Sequence, residues 1–232
     1  MKIKGLNNVM AALRESSVEK VFCSRNVEEL TAACKAINVP CKVLPRVKID
    51  ELFGDNHQGV GAFIAEIPQM HPADILKQAS RLVIVDRVQD PGNLGALIRS
   101  AAAFGAAVVM SEHETAPLSD VVAKASAGMI HHVPLARVAN LTRFVEQAKA
   151  AGFWILCLDM GGKPLASLKL DGKIGLIIGN EGTGVKPILK QNADFTGRIP
   201  MAPKVESLNA AMATSIALYE LERQWPHADL PT

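Results

Sequence analysis

Apolar residues recur along this chain in two alternating rhythms. Leu6, Val9, Met10 and Leu13 fall at helical spacing between residues 6 and 15, as do Leu30, Ala33, Cys34 and Ile37 between 27 and 38. Short runs between them, Val18 to Ser24 and Cys41 to Leu44, predict strands. Val47 to Phe53 predicts a helix that closes at the Gly54-Asp55-Asn56 turn, and His57 to Glu66 a strand that starts on glycines. This alternation fills residues 1–67 and predicts a small three-layer α/β domain. Ile67-Pro68-Gln69-Met70-His71-Pro72 then breaks the pattern, so residues 68–79 read as a linker ending in a short helix from Ala73 to Ala79.

The second rhythm is more apolar. Arg81 to Asp86 is a continuous run, as expected of a strand buried on both faces. Further strands are predicted at 105–110, 130–134, 153–159 and 173–179, with helices at 94–104, 119–126 and 141–151 between them. Strands alternating with helices imply a parallel sheet covered on both sides over residues 80–232. Ligands of such sheets bind beyond the carboxyl ends of the strands. The loops at 86–95, 159–163, 179–185 and 199–209 are therefore expected around one crevice.

Composition narrows the picture modestly. In 232 residues, 25 basic side chains stand against 23 acidic ones, so no global polycation announces nucleic acid, although a local patch is compatible with this balance. Cys23, Cys34, Cys41 and Cys157 form no C-x-x-C pair and read as reduced, mostly buried thiols. His57, His71, His113, His131, His132 and His227 show no ligand spacing, so no metal is expected. No stretch approaches the roughly 20 apolar residues of a membrane span, and the first residues lead into no long apolar run. A cytoplasmic protein without a membrane partner is the expectation.

Three stretches carry candidate chemistry. In Asp90-Pro91-Gly92-Asn93, followed by a small-residue helix, Arg99 interrupts an apolar surface. It needs a partner or a ligand, unless it is a solvent-facing arginine. Leu176-Ile177-Ile178-Gly179-Asn180-Glu181-Gly182-Thr183-Gly184 ends a buried strand in a glycine-rich loop with one acid. It has neither the G-x-G-x-x-G dinucleotide spacing nor a Gly-Lys-Ser/Thr, and taken alone a structural turn is an equal reading. Ile199-Pro200-Met201-Ala202-Pro203 is a proline-stiffened loop that delivers Ser207-Leu208-Asn209 to a helix start, with Ser207 or Asn209 as its N-cap. Ala210, Ala211, Ala213, Ser215 and Ala217 would let that helix pack closely.

In order and spacing, Asn93 with Arg99 after Asp90-Pro91, the Gly179-x-Glu181-Gly182-x-Gly184 loop, and Ile199-Pro200-Met201 with Ser207-Leu208-Asn209 resemble the three motifs of the SpoU/TrmH family. These are RNA ribose 2′-O-methyltransferases of the SPOUT superfamily. The resemblance covers about residues 81–225, and the N-terminal region with His57-Gln58-Gly59-Val60 is similar to the L30e-like substrate-binding domain of many members. It implies an α/β fold in three layers with a C-terminal trefoil knot, an exception to the rule against threaded loops. It also implies S-adenosylmethionine as cofactor, held by Gly179, Ile199 and Leu208 with Met201 and Gly184, and with Leu158 from the end of a neighbouring strand. Arg99 matches the arginine that acts on the ribose hydroxyl, as base or as positioner, and Asn93, Glu181, Ser207 and Asn209 would position it and the substrate. RNA is the implied partner and a homodimer through the C-terminal domain the implied assembly. The layout resembles the branch acting on 23S ribosomal RNA, with guanosine favoured. Transfer RNA and a non-catalytic RNA-binding role are the alternatives. Where that branch shows Gly-x-His-Ala-Val near its start, this chain has Gly5-Leu6-Asn7-Asn8-Val9, which leaves the exact RNA open.

Overall fold

The computed structural model describes residues 2–14, 18–64, 67–205 and 207–226; the expected helix end at Glu15, the strand end at Glu66 and His227 lie outside them. The chain divides into two compact units, Met1–Ile67 and Pro68–Thr232.

In the first unit, β1 (Lys2–Lys4), β2 (Val18–Cys23), β3 (Cys41–Val43) and β4 (Val60–Ile64) form one sheet in the order β1-β4-β2-β3. β4 runs antiparallel to both β1 and β2, while β2 and β3 are parallel. Helices α1 (Leu6–Arg14) and α2 (Glu28–Ala36) supply Val9, Leu13, Leu30 and Cys34 to one core, against Val21, Cys23 and Ala62 of the sheet. Helix α3 (Arg46–Phe53) covers the other face with Ile49 and Phe53, against Phe22 and Phe63. The three-residue β1 escaped the apolar pattern because two of its residues are lysines.

The second unit holds a six-stranded, all-parallel sheet in the order β10-β8-β9-β5-β6-β7. Its strands are β5 (Arg81–Val85), β6 (Ala107–Ser111), β7 (Leu135–Val138), β8 (Trp154–Pro164), β9 (Ile174–Ile178) and β10 (Phe195–Arg198). The helices are α4 (Pro72–Gln78), α5 (Pro91–Ala103), α6 (Asp120–Ala125), α7 (Leu141–Ala150), α8 (Pro187–Gln191) and α9 (Ala210–Gln224). Every residue of β5, β6 and β9 is buried, as their unbroken apolar runs require. Residues 68–79 are part of this unit and not a free tether, because α4 buries Ile75 and Leu76 in its core.

Two expectations shift. The strand expected at 130–134 is a 3₁₀ turn over Met129–His131, and the strand begins only at Leu135. Ala127 and Gly128 take left-handed backbone angles just before it, which forces the chain to turn. β10 and α8 were absent from the pattern: Phe195-Thr196-Gly197-Arg198 has no apolar run, and its place beside β8 is set by pairing. That pairing is tight. A Cβ at Gly162 would lie 2.6 Å from the Thr196 carbonyl carbon.

The C-terminal helix is anchored along its first half and at its end. Ser100 Oγ of α5 meets Ser215 Oγ of α9 at 2.6 Å, and the buried Arg81 side chain pairs with Glu222 and donates to the Trp225 carbonyl. Burial pushes the Cys23 thiol up to about 11 and Cys157 to about 12, so both are protonated at neutral pH. No described helix is long and apolar enough to cross a membrane, and among the described residues no group of His, Cys, Asp or Glu is placed to hold a metal ion.

Candidate active site

Three local structures converge beyond the carboxyl ends of β8, β9 and β10. The first is the start of α5. Asp90 is its N-cap, accepting the Asn93 amide at 2.7 Å, and Pro91 occupies the first turn where its missing N–H is no loss. The helix therefore starts at Pro91, and Asn93 lies inside its first turn with the side-chain amide free to reach outward. Gly95 lets α5 lie against α6, since a Cβ there would meet the Ala125 Cβ at 2.5 Å.

The second is the loop after β9. Asn180 and Gly184 bridge each other through paired backbone hydrogen bonds of 3.2 and 2.8 Å. Asn180 Oδ1 then accepts from the amides of Gly182 and Thr183, closing a tight turn that projects Glu181. Gly179 is obligatory at its base: a Cβ would lie 2.3 Å from the Gly184 carbonyl carbon. The turn is locked from outside. Asn180 Nδ2 donates to the Arg87 carbonyl, Arg87 donates to the Gly184 carbonyl at 3.1 Å, and the fully buried Asp86 accepts the Lys186 amide at 2.8 Å. Sequence reasoning missed Asn180, Asp86 and Arg87 as loop clamps. The acid closing an all-apolar strand at Asp86 was the available signal.

The third is the start of α9. Asn209 is the N-cap, its Oδ1 accepting from Ala211 at 2.9 Å and from Met212 at 3.3 Å. That cap fixes a direction. With Oδ1 committed to the helix, Asn209 must turn Nδ2 outward, and it donates to Asn93 Oδ1 at 2.7 Å. Asn93 must in turn present Nδ2, which donates to Glu181 Oε1 at 2.5 Å. One helix cap thus orients two amides and a carboxylate on three separate segments. Asn209→Ala should lower stability by about 1 kcal/mol through the lost cap. Asn209→Ser should restore most of that stability, yet its shorter side chain leaves Asn93 and Glu181 unlinked; thermal melts of both variants check the split.

Beside this chain of hydrogen bonds lies a cavity of about 370 Å³. Leu158, Asp159 and Met160 line it from β8, residues 178–184 from the glycine loop, Gly197, Arg198, Ile199 and Met201 from β10 onward, and Ser207, Leu208, Ala210 and Ala213 from the start of α9. Gly179, Gly184, Leu158, Ile199, Met201, Leu208, Glu181 and Ser207 thus line one cavity. Asn93 and Asn209 stand next to it through Glu181. Arg99 stands apart: it is exposed on α5, and no hydrogen bond or ion pair joins it to Asn93, Glu181, Ser207 or Asn209. Six residues along a helix put Arg99 roughly 120° round from Asn93 and ~9 Å up, which explains the separation. At the cavity's other end, Asp159 accepts from Lys190 Nζ and the Gly161 amide, and the Lys190 contact holds its carboxyl below the usual carboxylate range.

The cavity suits a flat heterocycle with a charged tail. Its volume lies within the range of small-molecule sites, and its walls are apolar side chains interleaved with glycine backbone, with carboxylates at Asp159 and Glu181. Among the described residues, no backbone hydrogen bond ties Met201 or Leu208 to a loop partner, which leaves polar backbone for a ligand.

Known proteins resemble this chain in sequence and fold. The sequence profile of the SpoU rRNA Methylase family matches residues 80–219, and that of the RNA 2′-O ribose methyltransferase substrate-binding domain matches residues 2–70. The 23S rRNA (guanosine-2′-O-)-methyltransferase RlmB of Coxiella burnetii is 33% identical over 208 residues, spanning 86% of this chain and 83% of its own. The SpoU methyltransferase AviRb from Streptomyces viridochromogenes, solved in complex with S-adenosylmethionine, superimposes with a TM-score of 0.69 at 26% identity, covering 97% of this chain and 89% of its own. An S-adenosylmethionine-bound rRNA methyltransferase from Sinorhizobium meliloti gives 0.65 at 30% identity over 96% and 86%. With both profiles in register along one chain and the glycine turn, proline loop and capped helix around one cavity, this protein belongs to the SpoU/TrmH family of RNA methyltransferases.

Proposed function

We propose that the chain methylates the ribose 2′-hydroxyl of a nucleotide in large-subunit ribosomal RNA, a guanosine by analogy with the Coxiella relative, using S-adenosylmethionine held in the cavity at 158–213. The observation that carries this reading is the Asn209–Asn93–Glu181 chain at the lip of an apolar, glycine-floored cavity. When bound, the cofactor supplies an electrophilic methyl group on a sulfonium sulfur. The work left to the protein is alignment and care of the hydroxyl proton.

Gly179, Gly184, Leu158, Ile199, Met201 and Leu208 are the residues that would hold the adenosyl portion by close backbone and apolar contact. Glu181, with one oxygen held by Asn93, keeps its carboxylate oriented for the ribose. Ser207 and Asn209 stand on the same side as substrate positioners. Arg99 orients the nucleotide and stabilises the developing alkoxide through its guanidinium donors.

The separation of Arg99 from its own cavity is accounted for by a homodimer. Met212, Ile216 and Tyr219 of α9 are 61%, 42% and 59% exposed and fall at helical spacing, an apolar stripe suited to a second copy. In such a dimer, Arg99 of one protomer is available to the cavity of its partner. An L30e-like identity for residues 1–67, with 68–79 as the passage to the methyltransferase domain, and a trefoil knot in that domain belong to the same reading. The close backbone approaches at Gly162 and Gly179 suit a threaded chain.

Incubation with labelled S-adenosylmethionine and separated RNA fractions tests the substrate. Label should enter large-subunit ribosomal RNA from cells lacking this gene; label in transfer RNA alone would replace the ribosomal assignment.

A further inference from the structure

The ladder register of the first unit places its strand lysines on one face. Residues directly opposite one another in a sheet point the same way. Lys2 of β1 pairs with Phe63 of β4, which pairs with Lys20 of β2, giving a row Lys2–Phe63–Lys20. The neighbouring row is Lys4–Gly61–Phe22–Lys42, running from β1 to β3 across all four strands. This is the face on which α3 lies. Gly61 makes room for the Phe53 ring, which would meet a Cβ there at 2.6 Å.

Lys2, Lys4 and Lys20 of this face are held, and Lys2, Lys20 and Lys42 are without a carboxylate partner among the described residues. Phe22 and Phe63 meet edge to face at 5.5 Å, and Phe53 packs 5.5 Å from Phe63. Lys2 Nζ lies 5.8 Å over the Phe63 ring and Lys20 Nζ 5.4 Å over the Phe22 ring. Lys4 Nζ is tied to the Asp55 carbonyl at 2.7 Å. Among the described residues, Lys2, Lys20 and Lys42 form no ion pair with a carboxylate, while Lys77, Lys149, Lys186 and Lys190 of the second unit each do. The single acid in these strands, Glu19, sits at the bulge between Val18 and Lys20, outside the ladder. With strands about 4.8 Å apart, Lys2 and Lys20 stand about 10 Å apart at their backbones, with Lys42 one strand further.

We propose that this lysine face of the first unit is a phosphate-backbone contact surface for substrate RNA, in which the phenylalanine cluster fixes the Lys2 and Lys20 ammonium groups and Lys2, Lys20 and Lys42 each neutralise a phosphate. The proposal rests on RNA being the substrate. A row of ammonium groups without carboxylate partners matches a polyanion, and lysine, as a point charge without bidentate geometry, grips backbone and reads no base. The contribution is accordingly independent of sequence and steep in salt.

The test uses the full chain and a labelled oligouridine as probe, with binding followed against salt concentration. The variant Lys2→Gln/Lys20→Gln/Lys42→Gln should flatten the log–log salt slope by about 2, at ~0.7 per phosphate contact, and weaken low-salt binding by roughly tenfold or more. Arginine at the same three positions should keep the wild-type slope. Glutamine at Lys35, Lys77 and Lys169, three exposed lysines elsewhere, should change it little. An unchanged slope in the first variant, with wild-type methyl transfer to RNA intact, overturns the patch and leaves the proposed function standing. Lysine-dependent binding of oligouridine without methyl transfer to any RNA supports the patch and removes the function. Equal competition by polyglutamate overturns the assignment to RNA.

Discussion

Gly179→Ala is expected to weaken S-adenosylmethionine binding by about 100-fold, roughly 2.8 kcal/mol, while the protein still folds. The Cβ would lie 2.3 Å from the Gly184 carbonyl carbon and 2.4 Å from the Val185 nitrogen, closer than any real contact. Neither atom belongs to a flexible side chain, so relief comes only by opening the Asn180–Gly184 bridge. Opening it moves Glu181 away from Asn93 and pushes the loop into the cavity that it lines. The sheet behind the loop is unaffected, because Ile178 and the rest of β9 stay paired with β5 and β8. Calorimetric titration of cofactor into the variant, with a thermal melt alongside, separates the local effect from loss of fold. Wild-type affinity in Gly179→Ala would mean that the turn at 180–184 is not part of the cofactor site.

Arg99→Ala is expected to lower methyl transfer to RNA by about 100- to 1,000-fold and to leave cofactor affinity within about twofold, since the guanidinium lines no part of the cavity of its own chain. The folded state should tolerate the change. Arg99 is exposed, and the buried face of α5 is carried by Leu94, Leu97, Ile98 and Ala101. Arg99→Lys keeps the charge and loses the planar fork, so partial recovery would point to charge stabilisation and no recovery to bidentate positioning. Undiminished turnover in Arg99→Ala would take the residue out of the mechanism.

The sequence made much of the second unit legible because β5, β6 and β9 are buried throughout and α5, α7 and α9 start on the caps Asp90, Asn140 and Asn209. Arg81 to Val85, Ala107 to Ser111 and Ile174 to Ile178 could be read from composition alone. What escaped was structure decided by pairing. Phe195–Arg198 has no apolar run, and Lys2–Lys4 reads as surface. The strand at Leu135 was displaced by left-handed turns at Ala127 and Gly128 that no periodicity signals.

At the site, Gly179, Glu181, Gly184, Leu158, Ile199, Met201, Ser207 and Leu208 line one cavity, while the choice of N-cap for α9 was not legible. That Asn209, in place of Ser207, caps α9 decides the orientation of Asn93 and Glu181, and this follows from which amide oxygen accepts the helix N–H groups. Arg99 lies on α5, the helix expected from about Leu94 to Phe104. Its side chain leaves the helix roughly 120° away from that of Asn93, and among the described residues no hydrogen bond or ion pair is made by it.

The central claim, ribose 2′-O-methylation at this cavity, is tested most directly by locating the transferred methyl group. Ribosomal RNA labelled by the wild-type protein should be digested to nucleosides and separated. The account predicts label in a 2′-O-methylated nucleoside, guanosine foremost, and none from Gly179→Ala at the same cofactor concentration. Label on a base, or label in ribose that survives loss of the Gly179 turn, would contradict it.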